Sequence, residues 1–134
     1  MQRKAARENS FILIFEKLCK QDETAEDIFR KATEVRGLEY DEYVKTVFFG
    51  SVENEKLIDE LVEKYSVGWK KGRISPVSMS VIRLAIYEML FMSDIPANVS
   101  INEAIELSKK YDDEKAYSFV NGVLNGVAKE LSSK

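Results

Sequence analysis

The stretch from Met79 to Met92, MSVIRLAIYEMLFM, constrains this chain most. It is the most apolar run in the sequence, yet it holds Arg83 and Glu88. It falls short of the roughly 20 residues a helix needs to cross a bilayer. The expectation is therefore a buried helix at the centre of a domain, with no membrane involved. A charge on such a helix must be solvated or paired. Arg83 and Glu88 stand five apart, a poor spacing for an intrahelical pair, so each is expected to find its partner on another element.

Local signals bound that helix and its neighbours. Ser75 followed by Pro76 is a cap with proline at the first helical position. Pro96 disfavours helical geometry at Ile95 and ends the run. Ahead of it, Ala5 to Lys20 places Phe11, Leu13 or Ile14, Phe15 and Leu18 near a 3.6-residue period. Thr24 can cap a second helix that Gly37 ends, with Ile28, Ala32 and Val35 as its buried stripe. A third helical region starts near Glu39. Tyr40, Tyr43, Val44, Val47 and Phe48 give its face, and Leu57, Ile58, Leu61, Val62 and Tyr65 continue it. Gly50-Ser51 is placed either to kink this region or to divide it. Ser66 to Ile74 reads as a loop. Beyond Pro96, Ser100 with Glu103 forms a capping box before Ala104, Ile105 and Leu107. Asp112 or Asp113 can start a last helix holding Tyr117, Phe119, Val120, Val123, Leu124 and Val127. Gly122 within it suggests close approach by another helix. No run alternates well enough to argue for a sheet. The result is an all-α chain of about six or seven helices, read as a single domain over residues 1–134.

Composition narrows function mostly by exclusion. The net charge is −3, so any nucleic-acid site must be a local basic patch. Cys19 is the only cysteine and there is no histidine to activate it, so it reads as a small hydrophobe on or beside a helix face. A lone cysteine suits a reducing cytoplasm. The amino terminus is no leader on this reading, because its apolar run, Phe11 to Phe15, is interrupted at once by Glu16. The carboxylates read as helix surface. No catalytic residues, metal ligands or cofactor-binding loop are expected, and the chain is not read as an enzyme.

Three blocks, IRLAIYEML (Ile82 to Leu90), INEAIEL (Ile101 to Leu107) and FVNGVL (Phe119 to Leu124), follow one another in an order and spacing that resembles the NusB family of bacterial transcription antitermination factors. The resemblance extends to the amino-terminal Arg3 and Arg7 pattern and covers nearly the whole chain. It implies two helical subdomains packed across each other and no enzymatic activity. It also implies a partnership with NusE, a small-subunit ribosomal protein. The pair would bind single-stranded boxA RNA and help RNA polymerase resist termination on ribosomal RNA operons. Self-association into a homodimer stays open.

The resemblance also implies where RNA would lie. The family uses a basic amino terminus and the start of the last helix. The matching positions are Arg3, Lys4 and Arg7, then Lys115, Ser118 and Phe119, with Phe15 where relatives often carry tyrosine. Lys and Arg hold phosphates, and an exposed aromatic can stack a base. Phe119 is balanced between a core role and an RNA role. Arg7→Ala is expected to weaken RNA binding while leaving the fold intact. Lys70, Lys71 and Arg73 form a second basic cluster, a solvated loop or an extension of the RNA path. In Val77 to Ser80 the acidic-then-basic pair common in the family is absent, on a helix that contributes to partner docking there. Asp112, Asp113 and Glu114 set negative charge beside Lys115. A helical protein adaptor of the same fold, without specific RNA binding, is the alternative reading.

Overall fold

The computed structural model describes residues 1–66 and 74–133. Those residues form seven α-helices: α1 (Arg3–Cys19), α2 (Ala25–Arg30), α3 (Glu42–Glu53), α4 (Glu55–Tyr65), α5 (Pro76–Phe91), α6 (Ala97–Tyr111) and α7 (Ala116–Ser132). A π-helical turn, Lys31–Val35, continues α2. There is no strand among the described residues.

The caps explain several boundaries. Thr24 accepts from the Asp27 N–H at 3.1 Å and starts α2. Gly37, at φ 76°, takes the left-handed conformation after the π turn, and the Leu38 N–H returns to the Ala32 carbonyl at 2.9 Å. Ser75 accepts from the Ser78 N–H at 3.0 Å, with Pro76 at the first helical position. Helix α3 begins three residues beyond Glu39, because the Asp41 side chain accepts from the Val44 N–H and caps it there.

The central run behaves as its apolarity requires. Every residue of α5 from Ser78 to Glu88 is buried. A helix apolar all round must be packed all round, and α5 touches α1, α3, α4, α6 and α7. Helix α1 lies across α3 and α5, while α6 and α7 pair with each other and with α5. The two helical groups thus cross on α1 and α5. Arg83 and Glu88 do find partners on other helices. Arg83 donates from Nε and Nη2 to Asp59 at 3.1 and 2.9 Å, and from Nη2 to Glu55 at 3.2 Å.

Several local expectations are corrected. Gly50-Ser51 does not divide the third region, since α3 runs through it; the break falls at Asn54, whose side chain bonds the Gly50 carbonyl at 2.8 Å. Gly50 instead makes room for Tyr87, whose ring would lie 2.4 Å from an added Cβ. Gly122 has nothing within 4 Å of such an atom, whereas Gly126 meets the Tyr65 ring at 2.5 Å, so the close approach belongs to Gly126. Ser100 is no cap: α6 starts a turn earlier, at Ala97 after Pro96, and Ser100 is 1% exposed within it. Helix α7 starts at Ala116, because the Asp113 side chain and carbonyl hold the Lys115 and Ala116 N–H groups ahead of it. Val35, Tyr40 and Leu57 are exposed rather than buried, and Tyr40 lies ahead of α3 altogether. Cys19 is also exposed, at the carboxyl end of α1.

Candidate nucleic-acid interface

The first turns of α1 separate three basic residues that sequence groups together. Arg3 and Lys4 are exposed; Arg7 is 4% exposed. The Arg7 Nε donates to Glu88 Oε2 at 2.8 Å and its Nη2 reaches Oε1 at 3.4 Å. Glu88 is fully buried and also accepts from the Tyr43 hydroxyl of α3 and, at 2.7 Å, from the Ser100 hydroxyl of α6. One carboxylate therefore collects donors from α1, α3 and α6. Burial works against the Arg7 charge, but the bonds to Glu88 outweigh it and raise its pKa above the ordinary value. Burial, then Glu88, pushes the Tyr43 hydroxyl strongly upward, so it stays a donor.

This placement corrects the expectation for Arg7. A guanidinium committed to a buried carboxylate cannot leave it for a phosphate without stranding the opposite charge. Arg7 belongs to the structure beneath the amino-terminal patch, not to its surface.

Arg3 and Lys4 point to different neighbours. The Arg3 guanidinium carbon sits 4.4 Å over the centroid of the Tyr43 ring, toward α3. Lys4 faces α6 across a cleft of about 460 Å³, which Arg7, Glu8, Glu103, Glu106 and Lys110 also line. Lys110 donates to Glu8 at 2.6 Å and the Tyr111 hydroxyl to the same oxygen at 2.9 Å. These two bonds hold the Glu8 carboxyl below its usual range. They also anchor the carboxyl end of α6 to the start of α1.

The second patch lies where α6 turns into α7. Lys115 and Ser118 are exposed. They share an open groove with Lys109, Glu114 and Tyr117. Tyr117 is 41% exposed, and the Lys109 ammonium lies 4.9 Å from its ring centroid. Phe119 is half-buried against the core and lines a hollow of about 240 Å³ with Ser75, Ser78, Asp112 and Lys115. Asp112 accepts there from the Ser75 and Ser78 hydroxyls at 2.6 and 2.7 Å. Burial pushes its carboxyl upward, but these bonds and two backbone N–H groups leave it below the ordinary value. Phe15 is half-buried, packed on the core with its ring 6.4 Å from that of Phe11. Lys70, Lys71 and Arg73 lie outside the described residues.

The structure thus joins the two predicted patches through residues that sequence reasoning passed over. Lys110 stands beside Lys4 and Glu8, and Lys109 stands beside Tyr117 and Lys115. These lysines close the last turn of α6, where basic side chains commonly offset the helix dipole. The pair Lys109-Lys110 next to Tyr111 was the available signal, but only the turn into α7 gives it both neighbours. By sequence Tyr117 groups with the apolar positions of the last helix, and only the helix orientation exposes its ring.

Comparison with known proteins bears on the fold and the family. The model of the NusB family matches residues 4–129. The transcription antitermination protein NusB of Natranaerobius thermophilus is 43% identical over 98% of this chain and 98% of its own length. A structure of T. maritima NusB superposes with a TM-score of 0.85 at 38% identity, covering 97% of this chain and 92% of that one. A crystal structure of antitermination factors NusB and NusE in complex with dsRNA superposes with a TM-score of 0.84 at 28% identity, covering 96% of each chain. With the family model matched from Lys4 into the end of α7, and with the helices in the same arrangement as in those structures, the chain belongs to the NusB family.

Proposed function

We propose that this chain is a transcription antitermination factor that binds the boxA element of nascent RNA together with NusE. In that role it would act in the cytoplasm with RNA polymerase, on ribosomal RNA operons. It is not an enzyme; its relatives are transcription antitermination proteins. The observation that carries the reading is that Lys4 and Lys110 line one groove and Lys109 and Lys115 the next, among Glu8, Glu103, Glu106 and Glu114, with Tyr117 exposed beside Lys109. Lysine side chains can hold phosphates, and an exposed ring suits an unstacked base. A structural neighbour that holds NusE and dsRNA supports the coarser part of this reading, an association with NusE and with RNA. Arg3, Lys4, Lys115 and Ser118 are proposed RNA contacts, with Phe119 and Phe15 supporting the surface from its half-buried margin. Among the described residues no helix is long and apolar enough to cross a membrane.

The adaptor reading draws on a different observation. Arg7 is consumed by Glu88, Lys110 by Glu8, and Asp113 and Glu114 flank Lys115, so few cations face outward unopposed. Fluorescence anisotropy of a labelled boxA RNA against a scrambled control separates the two. Preference for boxA that tightens when NusE is added supports antitermination. Equal, weak binding to both RNAs alongside a formed NusE complex selects the adaptor.

A further inference from the structure

We propose that Tyr43 is a positioning residue for Arg3, held in place by the buried Glu88, so that the outermost cation of α1 is oriented from the centre of the fold. The inference rests on the reading of the amino terminus as an RNA surface. Arg3 is exposed, and among the described residues it makes no ion pair. Its guanidinium carbon sits 4.4 Å over the centroid of the Tyr43 ring. A stacked guanidinium keeps its in-plane N–H groups free, and these are the groups a phosphate takes. The ring itself is fixed. Tyr43 is 7% exposed, its hydroxyl bonds Glu88, and Arg7 lies 5.9 Å from the same ring centroid. Without the ring, Arg3 is a long side chain in the first turn of a helix and must be ordered by the RNA at an entropic cost. With it, the donors are already set above a rigid aromatic.

The test is a double-substitution cycle read by RNA anisotropy, in the presence of NusE. Tyr43→Leu should weaken binding about two- to fivefold, the range an exposed cation–π contact represents. In an Arg3→Ala background the same change should add nothing, because there is no longer a guanidinium to orient. Tyr43→Phe keeps the ring face but loses the hydroxyl bond to Glu88, so it should weaken binding measurably but by less than Tyr43→Leu, and only where Arg3 is present; affinity equal to the parent's would overturn the role given to Glu88. A purely structural tyrosine would instead weaken binding equally in both backgrounds, and that result overturns the inference while leaving the RNA reading standing. If Arg3→Ala leaves affinity unchanged, the amino-terminal RNA site itself fails, and the inference falls with it. Should Tyr43→Leu not fold, NMR of the parent protein decides. Upfield ring-current shifts of the Arg3 side chain that persist in the RNA complex support the stack, and their loss on binding refutes it.

Discussion

Arg7→Ala should damage stability before it damages RNA binding. The substitution leaves Glu88, which is fully buried, without its only directly bonded cation. The Tyr43 and Ser100 hydroxyls still donate to it, but neither supplies charge. Removing one member of a buried ion pair costs about 3–5 kcal/mol, most of it the penalty of the stranded partner. That is a large part of the roughly 5–15 kcal/mol that keeps a domain folded. With a urea slope near ~2 kcal/mol per molar, the unfolding midpoint should fall by about 1.5–2.5 M. The companion variant Arg7→Ala/Glu88→Gln removes the stranded charge and keeps an oxygen to accept one hydroxyl. It should be more stable than Arg7→Ala alone by about 1–2 kcal/mol, the remainder reflecting the hydroxyl left unpaired. Urea unfolding followed by far-UV circular dichroism measures both. A single-variant midpoint within about 0.5 M of the parent, taken against the slope above, would refute the argument that Glu88 depends on Arg7 for its charge compensation. A double variant no more stable than the single would show that the stranded carboxylate is not the source of the loss.

Other consequences can be checked separately. Gly122→Ala fills open space and should stabilise α7 by about 0.5–1 kcal/mol, whereas Gly126→Ala drives a methyl into the Tyr65 ring and should destabilise by about 1–3 kcal/mol; thermal unfolding reads both signs. Asp112 has a folded pKa below its unfolded one, so its contribution is present above the ordinary aspartate pKa of about 3.9 and is lost as pH falls through the lowered value. Stability curves of the parent and Asp112→Ala should therefore converge below about pH 4, and parallel curves down to pH 2 would contradict the hydroxyl clamp. Tyr117→Ala should cost about 1–3 kcal/mol of RNA affinity without changing the salt dependence, while Lys109→Ala should reduce the salt slope by about 0.7. Identical slopes for Lys109→Ala and the parent would place Lys109 off the phosphate path.

What could be read from the chain alone was whatever depends on near neighbours in sequence. Thr24 and the Ser75-Pro76 pair start helices through bonds spanning three residues, and the apolar periodicity of α1 and α7 follows from a 3.6-residue turn. The burial of Met79 to Glu88 followed from an apolar run too short for a bilayer. The same local rules misplaced Ser100, since the serine of an S-x-x-E pattern can equally sit inside a helix when a buried carboxylate awaits its hydroxyl. They also gave the close approach to Gly122 instead of Gly126 and read Gly50 as a kink or break, because what a glycine makes room for lies on another helix.

The interface shows the same division. That the amino terminus is basic, and that Lys115 follows three acidic residues just before α7, are properties of the chain. Which cations face solvent is decided by contacts such as Arg7 to Glu88, 81 residues apart, and Glu8 to Lys110, 102 apart. Sequence could state that Glu88 needed a partner, because a lone carboxylate on an apolar helix is too costly to leave unpaired. It could not choose Arg7 over other cations, nor separate Arg3 from Lys4 across the two sides of α1. That choice belongs to tertiary packing, where the crossing of α1, α3 and α6 on α5 brings a few donors within reach of one buried oxygen pair and turns the remaining charges outward.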